Sequence, residues 1–89
     1  MKINKKYKIR KIAGESVLIM QGEYGVDLTK IISFNETSEW LWNELMDRDF
    51  TMKDVKEMIL SKYHVDEPKA QKDSQEWIDK LLKYHLIEE

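Results

Sequence analysis

The chain has no cysteine, a single proline and only three glycines among its 89 residues. Without cysteine it can form no disulfide, no thiolate metal site and no thiol nucleophile. Packing must therefore hold the fold, and we expect one domain over residues 1–89 in a reducing, cytoplasmic compartment.

Long apolar runs are also missing. The longest, Val17 to Met20, is far shorter than the roughly 20 residues of a membrane-spanning helix. The basic N-terminal segment MKINKKYKIRK is not followed by the apolar stretch of a secretory signal. We expect no membrane partner.

Groups with catalytic potential are few. The two histidines, His64 and His85, do not have a metal-ligand spacing, and the glycines form no phosphate-binding loop. Acidic pairs such as Asp73 and Glu76 are common on solvated helices, whereas a general acid–base pair needs burial and a shifted pKa. The sequence therefore predicts no active site, no cofactor and no metal.

The net charge of −2 conceals an uneven distribution. Residues 1–34 have seven Lys and Arg against three Asp and Glu, and residues 35–89 have eight against fourteen. A basic N-terminal part can attract an acidic partner, and it can equally be a solvated surface. The sequence leaves both interpretations open.

The first third of the chain has the patterns of strands. Apolar and charged residues alternate over residues 7–10, Val17–Met20 is a more buried run, and Ala13-Gly14-Glu15 supplies a turn between them. Residues 21–29 are predicted to be a loop, and Lys30–Phe34 a third strand. This strand has Ile32 and Phe34 on one face and Ile31 and Ser33 on the other.

Three helices are predicted over residues 35–89. Asn35 is a good N-cap for the first, in which Leu41, Trp42 and Leu45 share a face that excludes Trp40.

The second helix begins with a capping box of Thr51 and Asp54, and Asp66 or Glu67 caps the third, with Pro68 in its first turn. The second helix has an apolar face of Met52, Val55, Met58, Ile59 and Tyr63. The third has an unusually wide one of Ala70, Ser74, Trp77, Ile78, Leu81 and Leu82.

The predicted fold class is α+β and resembles a winged helix-turn-helix, with three N-terminal antiparallel strands followed by three helices. Such a fold can bind DNA through its last helix. Here that helix has as many acidic as basic residues and no arginine for guanine contacts, so a DNA-binding regulator is the alternative rather than the first hypothesis.

Peptide recognition is the remaining class. If Lys30–Phe34 is an edge strand, an extended peptide can add to it, and the wide face of the third helix can form a second wall. Two other interpretations stay open. Ile31, Phe34, Ile78 and Leu82 can simply be core, or the strand edge can pair in a homodimer.

Several segments together resemble the PqqD family. "FNETSEWLWNEL" is similar to its signature, with Phe34-Asn35-Glu36-Thr37 leading into a helix that contains Leu41-Trp42. The hairpin around "AGES" also fits, and His85 departs from the family, which commonly has glycine there. The C-terminal segment matches at Tyr63, Val65, Asp66, Ala70, Asp73, Leu86 and Ile87.

The resemblance implies a non-enzymatic adaptor in the synthesis of ribosomally produced, post-translationally modified peptides. It would bind a precursor's leader peptide as an added strand and deliver it to a maturation enzyme, typically a radical-SAM protein of the quinone-cofactor pathway. By position, the peptide-binding residues would be Ile31, Ile32, Ser33 and Phe34 on the strand and Gln71, Ser74, Gln75 and Ile78 on the third helix.

Overall fold

The computed structural model describes residues 1–20 and 30–88, so the predicted loop at 21–29 lies outside the described residues. The predicted fold class is confirmed: three antiparallel strands precede three helices. Two further strands of two residues each lie near the chain ends. The elements are β1 (Lys2–Ile3), β2 (Ile9–Ile12), β3 (Glu15–Met20), β4 (Lys30–Phe34), α1 (Glu36–Leu45), α2 (Met52–Lys62), α3 (Glu67–Lys83) and β5 (Ile87–Glu88).

The β2–β3 hairpin closes through a two-residue turn. Ala13 and Gly14 both have positive φ, 52° and 82°, as a type I′ turn requires. Ile12 pairs with Glu15 directly beside the turn. Glu15 thus belongs to β3 rather than to the predicted turn, and β2 starts two residues later than the alternation at 7–10 indicates.

Strands β2, β3 and β4 form one antiparallel sheet in that order, and β4 has the predicted bounds. In β4, Ile32 is opposite Leu18 and Phe34 is opposite Ser16. Ile32, Phe34 and Leu18 are buried in the main core, which fixes the face that the sheet presents to the helices.

Helix α1 follows β4 without a spacer because Asn35 caps it. The Asn35 side chain accepts a hydrogen bond from the Ser38 backbone N–H at 2.8 Å. The two tryptophans diverge as the sequence predicts. Trp42 is buried with Leu41 and Leu45, whereas Trp40 packs against Tyr63 beyond α1.

The two later helices also start at their predicted caps. Thr51 and Asp54 exchange side-chain and backbone hydrogen bonds in a capping box, and Asp66 caps α3. The hydrogen bond from the Thr51 backbone N–H holds the pKa of Asp54 below its usual range, since it stabilises the charged carboxylate. None of the described helices combines the length and apolar character that crossing a bilayer requires.

The two short strands were not predicted. Strand β1 pairs antiparallel with β5, and Ile3 is opposite Ile87, with both side chains buried. The Asn4 N–H also donates to the Leu86 carbonyl at 2.9 Å. Strands of two residues are too short for any periodicity, so only the packed structure reveals this pairing.

Helix α3 ends in a Schellman motif with histidine in place of glycine. The His85 N–H donates to the Leu82 carbonyl, and the Leu86 N–H to the Leu81 carbonyl at 2.8 Å. His85 has a φ of 56°, so it adopts the left-handed conformation that glycine adopts at least cost.

We expect His85→Gly to raise the free energy of unfolding by about 1 kcal/mol, because the left-handed region disfavours residues with a Cβ. Chemical denaturation measures the difference. His85→Ala is the control, since it removes the imidazole but keeps the Cβ. An equal gain from alanine would contradict the backbone explanation.

Candidate functional site

Strand β4 lies at the edge of its sheet. It pairs with β3 on one side, and no described strand pairs with the other. An edge of this kind presents backbone N–H and C=O groups that another chain can pair with. Which residues present them follows from the pairing register.

The hairpin turn sets that register. The pair that flanks a two-residue turn is a hydrogen-bonded pair, and hydrogen-bonded and non-hydrogen-bonded pairs then alternate along the ladder. From Ile12 and Glu15, the alternation directs the backbone groups of Ser16 and Leu18 towards β4. Their partners, Phe34 and Ile32, are therefore bonded to β3, and the backbone groups of Ile31 and Ser33 point to the open edge.

A contact with α3 supports this assignment independently. The Lys80 ammonium donates to the Ser33 carbonyl at 3.0 Å. The carbonyl of Ser33 therefore faces away from β3. The Lys80 ammonium also lies 5.8 Å from the centroid of the Phe34 ring.

The side chains of β4 divide between two environments. Ile32 and Phe34 are buried, and Phe34 packs edge-to-face on Trp42 with ring centroids 5.5 Å apart. Ile31 is 65% exposed on the opposite face. The buried pair anchors the strand to α1, while the open edge stays accessible beside an exposed apolar side chain.

A cavity of about 380 Å³ continues from the end of this edge. It lies between the N-terminal turn of α1 and α3, where Asn35 and Lys80 are part of its wall. The other lining residues are Thr37, Ser38, Leu41, Ile59, Lys69, Asp73, Glu76 and Trp77. We refer to the open edge of β4, Lys80 and this cavity together as the β4 groove.

The four α3 residues predicted for peptide binding do not line this cavity. The Gln71 side chain contacts the Met52 sulfur at 3.2 Å, and Gln75 donates to Asp79 on its own helix. Ser74 is fully buried and donates to the Ala70 carbonyl, and Ile78 is buried in the core. A peptide-binding role for these four residues stays a prediction.

Lys80 is an α3 residue that lies at the β4 edge and that the sequence does not predict for the site. The buried residues of the wide apolar face of α3 are core, and Trp77 among them also lines the cavity. Nothing in an apolar pattern points to a lysine. In the sequence, the Glu four residues earlier, Glu76, is the expected partner of Lys80 on a helix. In the structure, the Lys80 ammonium donates to the Ser33 carbonyl instead.

The surface of α3 gives little support to DNA recognition. Lys69 pairs with Asp73 at 3.5 Å, and Lys80 bonds Ser33. Phosphate contacts require a cluster of available lysines, and two of the four lysines of α3 are engaged within the protein.

The other ionisable features lie outside the β4 groove. The Lys56 ammonium lowers the pKa of Glu67 through a 2.7 Å hydrogen bond at the exposed start of α3. Such a shift favours the charged carboxylate and fits a structural ion pair. Within residues 1–20 and 30–88, His, Asp and Glu side chains form no group suited to hold a metal ion.

Comparisons with known proteins identify the family and the fold. The family model described as "Coenzyme PQQ synthesis protein D (PqqD)" matches residues 15–87. No curated protein matches the chain. The solved structure described as "TbiB1 in Complex with the TbiA(beta) Leader Peptide" has a TM-score of 0.70 and 20% sequence identity, covering 99% of this chain and 95% of that one.

Proposed function

Because the chain belongs to the PqqD family, we propose that it is a non-enzymatic adaptor for a leader peptide. The leader adds as an extended strand to the open edge of β4, and the adaptor presents it to a modifying enzyme of the radical-SAM type. The observation that carries the proposal is the outward direction of the Ile31 and Ser33 backbone groups. The similar fold of TbiB1, whose structure was determined with a leader peptide, supports it.

The mechanism is strand addition. Main-chain hydrogen bonds to Ile31 and Ser33 give affinity, and alternate peptide side chains point to opposite faces of the extended sheet. Those on the outer face lie beside Ile31, and those on the inner face lie towards α3, whose Lys80 reaches this edge. As the strand docks, the hydrogen bond from the Lys80 ammonium to the Ser33 carbonyl breaks, and a peptide N–H donates to that carbonyl in its place.

In this mechanism the adaptor catalyses no reaction itself. It holds the leader while the rest of the precursor remains tethered, which raises the concentration of the modifiable segment near the enzyme. Ile32 and Phe34 contribute indirectly, since their burial fixes the strand that presents the edge.

Titration calorimetry tests the proposal with synthetic leader segments from short reading frames encoded beside the gene. We expect one such leader to bind with 1:1 stoichiometry and a scrambled version not to bind. A gel-shift series with duplex DNA covers the alternative, because DNA binding weakens steeply with salt. A DNA shift without any leader binding would overturn the adaptor function.

A further inference from the structure

The sheet has a second open edge, at β2. The order β2-β3-β4 leaves β2 paired on one side, and no described strand lies on its other side. The alternation that starts at the hairpin turn bonds Ile12 and Arg10 to β3, so the backbone groups of Ile9 and Lys11 point outward.

A cavity of about 370 Å³ lies between this edge and α1. Ile9, Trp42 and Met46 give it an apolar lining, and Asn43 adds an amide. The β4 groove likewise combines an open strand edge with a neighbouring helix. We call this second site the β2 groove.

The charge of the β2 groove is positive. Lys5, Lys8 and Lys11 line it, and its one acidic residue, Glu39, already accepts a hydrogen bond from the Ser16 hydroxyl. Lys5 pairs with Asp47 at 2.8 Å. Among the described residues, Lys8 and Lys11 have no carboxylate partner within ion-pair distance. An extended segment that carries carboxylates would neutralise them.

We propose that the β2 groove binds an acidic extended segment of the modifying enzyme. The assignment of the partner rests on the proposed function, because the leader occupies β4. The two edges are separated by two inter-strand spacings, about 10 Å. Both edges can therefore be occupied at once, and one small sheet then joins leader and enzyme.

The class of ligand is tested with a synthetic peptide of alternating glutamate and valine, with a lysine–valine peptide as control. In an NMR titration at low salt, we expect the acidic peptide to shift the Ile9 and Lys11 amide signals and the Trp42 indole signal. The lysine–valine peptide should leave them unchanged. Equal binding of both peptides, no binding of the acidic one, or shifts confined to Ile31 and Ser33 would overturn the proposal.

Charge reversal tests whether the two lysines attract the acidic peptide. We expect the double variant Lys8→Glu/Lys11→Glu to bind the acidic peptide at least about tenfold more weakly, since two attractions become repulsions. The variant Lys53→Glu/Lys72→Glu has the same net charge on exposed helix surfaces and should bind as the unmodified protein does.

A pull-down with the purified modifying enzyme encoded beside the gene then separates the two proposals. The Lys8→Glu/Lys11→Glu variant should lose enzyme association and keep its leader affinity. Loss of leader affinity with the enzyme still bound would contradict the β2 assignment. Absence of leader binding in the unmodified protein would instead refute the adaptor function.

Discussion

Replacing Ser33 with proline is expected to weaken leader binding at least about tenfold while the domain stays folded, because the variant loses an outward hydrogen-bond donor and places a ring at the edge. The Ser33 N–H is not used in the β3–β4 ladder, so the sheet keeps its own bonds. Calorimetry gives the affinity, and circular dichroism verifies the fold.

Two variants serve as controls for this result. Ser33→Ala keeps the backbone N–H and should bind the leader with nearly unchanged affinity. Ile32→Pro removes a donor that is bonded to β3 and disturbs a buried side chain, so it should unfold the sheet. A folded Ser33→Pro protein with unchanged affinity would contradict strand addition at β4.

Replacing Trp42 with alanine is expected to lower the free energy of unfolding by about 3–5 kcal/mol. Its side chain is 1% exposed and packs edge-to-face on Phe34, so the change leaves a large cavity between α1 and β4. The total free energy of unfolding of a small domain is only about 5–15 kcal/mol. Urea denaturation followed by far-ultraviolet circular dichroism measures the loss.

Trp40 provides the matched control on the same helix. It is half-buried, with the Lys62 ammonium 4.1 Å from its ring centroid and Tyr63 at its edge. Truncation of Trp40 should lower the free energy of unfolding by about 1–2.5 kcal/mol, the sum of these two ring contacts. Similar losses for the two variants would show that the α1–β4 junction does not depend on the buried tryptophan.

The sequence was most informative where short-range chemistry decides the structure. The bounds of β4, the Asn35 cap and the Thr51–Asp54 capping box depend on neighbouring residues, and all three agree with the structure. The full burial of Trp42 and the half-burial of Trp40 follow equally from helical periodicity. These features need no knowledge of tertiary packing.

Contacts between distant segments could not be predicted from the sequence in this way. Strands β1 and β5 stabilise each other across the whole chain, and neither has a pattern of its own. The wide face of α3 predicts a wall for a peptide, and that role stays a prediction. Its buried members pack in the core, Trp77 among them also lines the β4 groove, and Lys80 reaches the strand edge as well. A polar contact across 47 residues follows only from the assembled fold.

The most direct test of strand addition is amide hydrogen exchange, measured residue by residue by NMR with and without saturating leader peptide. Strand addition predicts that the Ile31 and Ser33 amides exchange fast in the free protein and become strongly protected in the complex, while the Ile32 and Phe34 amides are protected in both states. Ile31 and Ser33 amides that are already protected in the free monomer, or that still exchange fast in the saturated complex, would contradict it.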